Sequence, residues 1–279
     1  MRAPRVTPGD AHTPLIVCMT DYGTHGFYVG ALHGAIYQVC PSARIETITN
    51  EIAEFDIQEG AYTLLQASRE YPAGSIFIAS VDPGVGTVRK AILVRTRNGY
   101  YFVGPDNGIL TMVMEEFGVD WVRSVENPKV MRQAGVSHTF HGRDVFGPAA
   151  ASLAGGVPPE DFGPLLQSTV RLALTPVKAT PDEISGGVVM VDHYGGLITN
   201  IPARLMDQAG LRIGQTLSLR LGDRELAMPF TATYGDVPQG KPLGLISSAG
   251  YLELAVNMGN MANYAGAGRN TPVRIALKK

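Results

Sequence analysis

PLIVCMTDYGTHGFYVGALHGAIYQVCPSARIETIT, residues 14–49, carries two structural periods in succession. PLIVCMT is a short apolar, β-rich run that ends at Asp21. YVGALHGAIYQVC then sets Val29, Leu32, Ile36 and Val39 at helical spacing, and RIETIT reads as the next strand. Outward from this unit the alternation continues. Ile57 to Tyr71 is helical, with Ala61, Leu64, Leu65 and Ser68 on one side, and SIFIASV (75–81) is a third strand. This order predicts an α/β domain, a mostly parallel sheet with helices on both faces. AILVRTRNGYYFVG (91–104) reads as a hairpin turning at Asn98-Gly99, and GILTMVMEEFG (108–118) as a helix ended by Gly118.

After residue 172 the texture changes. ALTPVKATPDEISGG (173–187) has two prolines and two terminal glycines and reads as a linker. GVVMVD, LITNI, TLSLRLGDRELAMPF, LGLISS and YLELAV follow as short strand-like runs joined by Gly, Asp and Pro turns, one of them a hairpin at Gly222-Asp223. The expected division is a flexible tail (1–13), an N-terminal α/β domain (14–172), the linker (173–187) and a smaller C-terminal all-β domain (188–279).

The 279 residues are 45% hydrophobic and 17% charged, which suits a globular protein with a sizeable core. Net charge is −2 and no basic run occurs, which argues against nucleic acid as a partner. Cys18 and Cys40 lie in apolar stretches and read as buried free thiols. No apolar run reaches membrane-span length, and MRAPRVTPGDAHTP has no apolar core suited to a signal peptide. The expectation is a soluble cytoplasmic protein with no membrane partner.

Ligands of open parallel sheets bind beyond the carboxyl ends of strands. Four loops fall there: DYGTHG (21–26), TNEIAEFD (49–56), DPGVGTVR (82–89) and PDNG (105–108). Each holds an acid, and several hold glycine. Turn-forming residues alone account for any one of them. All four together point to a pocket of carboxylates and backbone amides. DPGVGTVR lacks the Lys-Ser/Thr of a phosphate-binding P-loop and the third glycine of a dinucleotide fingerprint. Asp82 and Arg89 then make either a plain ion pair closing a turn or a platform for chemistry. In SHTFHGRDVFGPAAASLAGG (137–156), His138 and His141 are three apart, but Thr139-Phe140 and Gly142 argue against a helix there, and no Cys or Glu completes a metal site nearby. Asp82 or Asp106 remain distant candidates for one. Arg143–Asp144 reads equally as a local ion pair or as part of a site.

TDYGTHGFYVGALHG, IAEFDIQEGAY, VDPGVGTVR, FVGPDNGILT, SHTFHGRDVFGPAAA and SSAGYLELAVNMGNMA, in order from about Thr20 to Ala262, resemble the SAM hydroxide adenosyltransferases. These SAM hydrolases are relatives of the fluorinating and chlorinating SAM enzymes. The resemblance implies that S-adenosylmethionine (SAM) and water become adenosine and methionine, with SAM as substrate and no cofactor or metal. It also implies a homotrimer with active sites at subunit interfaces. Its catalytic set maps onto Asp82, Arg89 and His141; the halogenating relatives have an aromatic residue for the Asp and a Tyr for the His. Substrate contacts map onto Asp21, Phe55, Phe140, Gly142, Asp192, Tyr194, Tyr234, Ser248, Asn257 and Met258. The chain departs from the halogenases at Gly26 and Ala249, where they hold the methionine end with an acid and an Arg. It also has Tyr194-Gly195-Gly196 for the usual Phe-Gly-Asn.

The implied reaction is an in-line displacement at the ribose C5′. A neutral thioether leaves a sulfonium and needs no general acid, so the demand falls on orienting and deprotonating water. A carboxylate and an imidazole suit that task, and Arg89 suits holding Asp82 ionised. The competing readings are a SAM- or nucleoside-binding sensor without turnover, a SAM-dependent halogenase and a metal-dependent hydrolase.

Overall fold

The computed structural model describes residues 15–277; the tail expected at 1–13 lies outside the described residues. The chain divides into two compact units, one ending at Leu172 and the other beginning at Ala173.

In the first unit, β1 (Leu15–Thr20), α1 (Tyr28–Val39), β2 (Arg44–Thr49), α2 (Ile57–Ser68) and β3 (Ile76–Ser80) follow one another as the periodicities predict. β4 (Ala91–Thr96) and β5 (Tyr101–Pro105) form the hairpin, with Gly99 at a φ of 90° in its turn. α3 (Thr111–Phe117) and β6 (Val119–Ser124) come next. β6 was not legible as a strand: its exposed and buried residues interleave weakly, and pairing with β4 defines it. The sheet order is β2-β1-β3-β5-β4-β6. β1 pairs parallel with β2 and β3, β3 pairs parallel with β5, and β4 runs antiparallel to both neighbours.

Burial explains these elements. All five residues of β3 are buried, as expected of a central strand covered on both faces. α1 buries Leu32, Ala35 and Ile36 and packs against α4 (Gly147–Ala154), while α2 packs against α3. The α2 start is capped by Asp56, whose carboxylate accepts from Glu59 N at 2.9 Å. Both cysteines are buried and free, and burial pushes the Cys18 thiol up to about 12.

As expected, no helix joins His138 to His141, but Gly142, which argues against a helix in the sequence, lies inside one. A π-helical turn, Gly142–Phe146, leads straight into α4, with His141 as its N-cap. His138 lies outside this helix and is exposed, so the two histidines are not a helical pair.

In the second unit the short runs appear as strands: β7 (Lys178–Ala179), β8 (Glu183–Val191), β9 (Leu197–Pro202), β10 (Thr216–Leu221), β11 (Arg224–Pro229), β12 (Pro242–Ile246), β13 (Tyr251–Val256) and β14 (Pro272–Ala276). Two short helices interrupt them, α5 (Ala203–Gln208) and α6 (Met261–Ala265). The sheet order is β11-β10-β14-β8-β9-β13-β12, with β7 paired to β8. Its two end strands, β11 and β12, touch, so the sheet curls into a near-barrel around Leu197, Leu217, Leu252, Leu254 and Ile275. The stretch 173–187 is not all connection. Glu183 to Gly187 pair with β14, and Gly187 N donates to Asn200 Oδ1 at 2.9 Å. Prolines and glycines mark a break in periodicity, but backbone pairing with a distant strand decides where the sheet begins.

Candidate active site

The sheet order places β1 between β2 and β3, so the three loops after these strands lie side by side. Thr20 pairs with Ser80 at the carboxyl ends of β1 and β3, which sets Asp21 and Asp82 on the same edge. These loops and the start of the 141–154 helix line a pocket of about 470 Å³ that includes Asp21, Phe55, Ser80, Asp82, His141 and Gly142. The PDNG loop does not line it. Asp106 instead accepts from Val170 N at 2.9 Å, and Asn107 donates to Val81 O at 2.9 Å.

Asp82, Arg89 and His141 are joined directly. Arg89 Nε donates to Asp82 Oδ1 at 2.9 Å and Nη2 donates to Oδ2, a bidentate ion pair whose side chains are only 10% and 8% exposed. Nη2 also lies 2.6 Å from His141 Nδ1. The guanidinium sits 5.4 Å from the Phe146 ring centre, and His141 meets the same ring edge-on. An arginine has donors only, so Nδ1 must accept, and the neutral imidazole carries its proton on Nε2. Burial and the neighbouring Arg89 cation hold the His141 pKa below its ordinary 6.5, against the opposing pull of Asp82 and Asp144.

Two glycines permit this convergence. Gly86 has a φ of 75°, and a Cβ there would run into the backbone oxygen of His138, so only glycine lets the 82–89 loop lie against the 138–141 segment. A Cβ on Gly142 would collide with Tyr22 Oη. That hydroxyl bonds Ser80 Oγ at 2.7 Å, and the Tyr22 ring packs edge-on against Phe140, which Tyr28 also meets at 5.2 Å. Burial pushes the Tyr22 phenol above its ordinary range.

Asp21 accepts from Phe55 N at 3.0 Å. Its pKa is raised by burial first, and then by Asp82 and Glu54, against the backbone hydrogen bonds that lower it. Phe55 is held at a φ of 66° and is 67% exposed, a strained conformation that presents an aromatic residue at the pocket. Arg143–Asp144 is more than a local pair. Asp144 is fully buried and accepts from Arg143 at 2.7 and 2.9 Å, from Arg132 at 3.3 Å and from Ser137 N at 2.9 Å. Burial favours the neutral acid, but these donors outweigh it and hold its pKa below the ordinary carboxylate value. Asp144 thus fastens the 132–140 loop to the helix that carries His141.

The second unit has a pocket of its own, about 620 Å³, whose lining includes Asp192, Tyr194, Tyr234, Asn257 and Met258. Asp192 Oδ1 accepts from Tyr194 N and Gly196 N, both at 2.8 Å, which shapes the turn after β8. Met258 has a φ of 51° in the turn that follows β13. Ser248, expected among the contacts, lies in the β12–β13 turn and does not line this pocket. Tyr22, Tyr28, Ser80 and Glu253 were missed by the motif reading. Tyr22 sits inside the quoted DYG, and the one acid in the apolar run YLELAV was the signal for Glu253. Among the described residues no three His, Cys, Asp or Glu side chains gather as metal ligands, and no helix is long and apolar enough to cross a membrane.

Residues 16–163 match the model of the SAM hydroxide adenosyltransferase N-terminal domain, and residues 186–274 match that of the C-terminal domain. The chain is 38% identical to the (R)-S-adenosyl-L-methionine hydrolase of Salinispora arenicola, over 91% of this chain and 94% of that one. It is 33% identical to the protein of the same description from Thermus thermophilus, over 92% and 97%. A fluorinase from Actinoplanes sp. is 31% identical over 89% and 93%. Among solved structures, an uncharacterized conserved protein from Thermotoga maritima superposes with a TM-score of 0.90 at 37% identity, covering 93% of this chain and 99% of that one.

Proposed function

The chain belongs to the SAM hydroxide adenosyltransferase family, and on that premise we propose that it hydrolyses S-adenosyl-L-methionine to adenosine and L-methionine. The observation that carries this reading is the Asp82–Arg89–His141 linkage, closed by hydrogen bonds at one wall of the pocket.

Water attacks the ribose C5′ in line with the sulfonium. The C5′–O bond forms as the C5′–S bond breaks, and the electron pair goes to sulfur as the neutral thioether of methionine. The attacking water becomes acidic as its oxygen acquires the new bond, so its proton has to pass to a base. With His141 Nδ1 engaged by Arg89, the imidazole offers Nε2–H to the water oxygen and orients it. Asp82 is the anionic member of the three and receives the proton. Arg89 holds both partners in place and supports the charge as it moves.

In this reading Asp21 holds the ribose hydroxyls, and Phe55 and Phe140 with the Gly142 backbone line the sugar. Asp192, Tyr194, Tyr234, Asn257 and Met258 take the base and methionine ends. Ser248 belongs to the same set by motif alone. The protein works as a cytoplasmic homotrimer, each SAM held between the N-terminal unit of one subunit and the C-terminal unit of a neighbour. SAM is the substrate, and no cofactor or metal takes part.

Incubation with SAM in ¹⁸O-labelled water, with chloride and chelator arms, tests the proposal. Labelled adenosine is expected in every arm. Chloroadenosine, loss of product with chelator, or tight SAM binding without product would each overturn it.

A further inference from the structure

Glu253 stands apart from the rest of the second unit's pocket. It lies in the middle of β13 between Leu252 and Leu254, is only 3% exposed, and still reaches the cavity lining. Tyr234 Oη donates to its Oε1 at 2.9 Å. Among the described residues its other oxygen accepts no hydrogen bond and no basic side chain pairs with it. The carboxyl thus lines the cavity with an unused acceptor that a ligand's donor can reach. Burial and nearby Asp192 raise its pKa, while the Tyr234 hydrogen bond opposes them.

The neighbouring Asp192 does not supply that partner and is already engaged through Oδ1 by two backbone amides. Gly196 packs tightly against both acids: a Cβ there would stand 2.8 Å from Asp192 Oδ2 and 3.0 Å from Glu253 Oε1, too close for a side chain, so glycine lets the two carboxyls edge the same cavity. Tyr194, Tyr234, Val256 and Met258 give the wall flat and apolar faces, and Asn257 and Asn260 add polar groups to it. A slot with aromatic and thioether faces and carboxyl acceptors at its edge suits a heteroaromatic ring that carries an N–H there.

We infer that Glu253 is a specificity-determining residue, accepting a hydrogen bond from the exocyclic amine of the adenine ring and selecting 6-aminopurines over 6-oxopurines. The inference rests on SAM being the substrate. The selection belongs to the ionised carboxylate, whose Oε2 only accepts; a protonated Oε2 would donate to a 6-oxo group. A 6-oxopurine turns carbonyl lone pairs toward that acceptor and loses the contact. Tyr234 sets the carboxyl's orientation through Oε1 and leaves Oε2 for the base.

The test is binding of adenosine and inosine by calorimetry to the full-length protein and to Glu253→Gln. The wild-type protein is expected to prefer adenosine by about tenfold or more. The amide of Glu253→Gln still accepts from Tyr234 and presents N–H donors where Oε2 was. Its adenosine affinity is expected to fall by about tenfold while inosine binding holds or tightens. Equal wild-type affinity for the two nucleosides overturns the inference without any variant, should Glu253→Gln fail to fold. A variant that weakens both nucleosides alike, or that weakens SAM but not adenosine, also overturns it. The latter would place Glu253 at the methionine ammonium. Nucleoside binding needs no turnover, so a failure of SAM hydrolysis sinks the proposed reaction separately from this result.

Discussion

His141 Nδ1 accepts a hydrogen bond from Arg89 Nη2 at 2.6 Å, across 52 residues of sequence. The contact ties the imidazole's protonation state to the guanidinium and, through the bidentate pair, to Asp82. It makes the three side chains one unit, so removing any member disturbs the other two.

Asp82→Ala and His141→Ala are each expected to lower SAM turnover by about 10²–10⁴ while SAM affinity changes little. Steady-state rates set beside calorimetric binding check this. Full turnover in either variant would remove that residue from the chemistry.

The pH dependence follows from the lowered His141 pKa. The unfolded value is 6.5 and the folded value lies below it. Between the two, the unfolded chain binds the proton and the folded chain does not, so stability rises with pH across that window. The contribution is fully present above 6.5 and is lost as pH falls through the folded value. Turnover is expected to hold through pH 6.5 and to decline only at more acid pH, because a proton on Nδ1 would oppose the Arg89 N–H. Removing the guanidinium in Arg89→Met leaves Asp82 and Asp144 to raise the His141 pKa against burial and His138 alone. An NMR titration of the imidazole should show that rise, and an unchanged value would refute the coupling.

Gly142→Ala is expected to displace Tyr22 and break its bond to Ser80. Overpacking of this kind costs about 1–3 kcal/mol. Thermal melts of Gly142→Ala with and without Tyr22→Phe measure it. The double variant should recover part of the loss, since the colliding hydroxyl is gone; no recovery would mean that Tyr22 is not the obstacle.

Asp144→Ala is expected to destabilise the protein by about 1.5–3 kcal/mol, because it removes the charged acceptor shared by Arg132, Arg143 and Ser137 N, while the two arginines can still reach solvent. Denaturant titration measures the effect. A loss within experimental error would show that the 132–140 loop is held by other contacts.

Much of the frame was legible locally. The strand and helix periods of 14–81, the Asn98-Gly99 turn and the Gly222-Asp223 hairpin each depend on residues close in sequence, where burial imposes a repeat. Asp21 and Asp82 were legible as acids at strand ends for the same reason. β6, β14 and the sheet pairing of Glu183 to Gly187 were not, because a strand with a weak pattern takes its identity from its neighbour's hydrogen bonds.

VDPGVGTVR therefore determined, by itself, a turn with an acid and an arginine that is not a phosphate cradle. Motif order from Thr20 to Ala262 pointed to the family. Only the tertiary structure decided that Arg89 bridges Asp82 to His141, that Asp144 is a buried brace, and that Glu253 faces a cavity instead of the core. The physical reason is that periodicity encodes which face of an element is buried. Which distant side chain it meets there is set by strand order, and by the few positions, such as Gly86 and Gly142, where the absence of a side chain lets two segments approach.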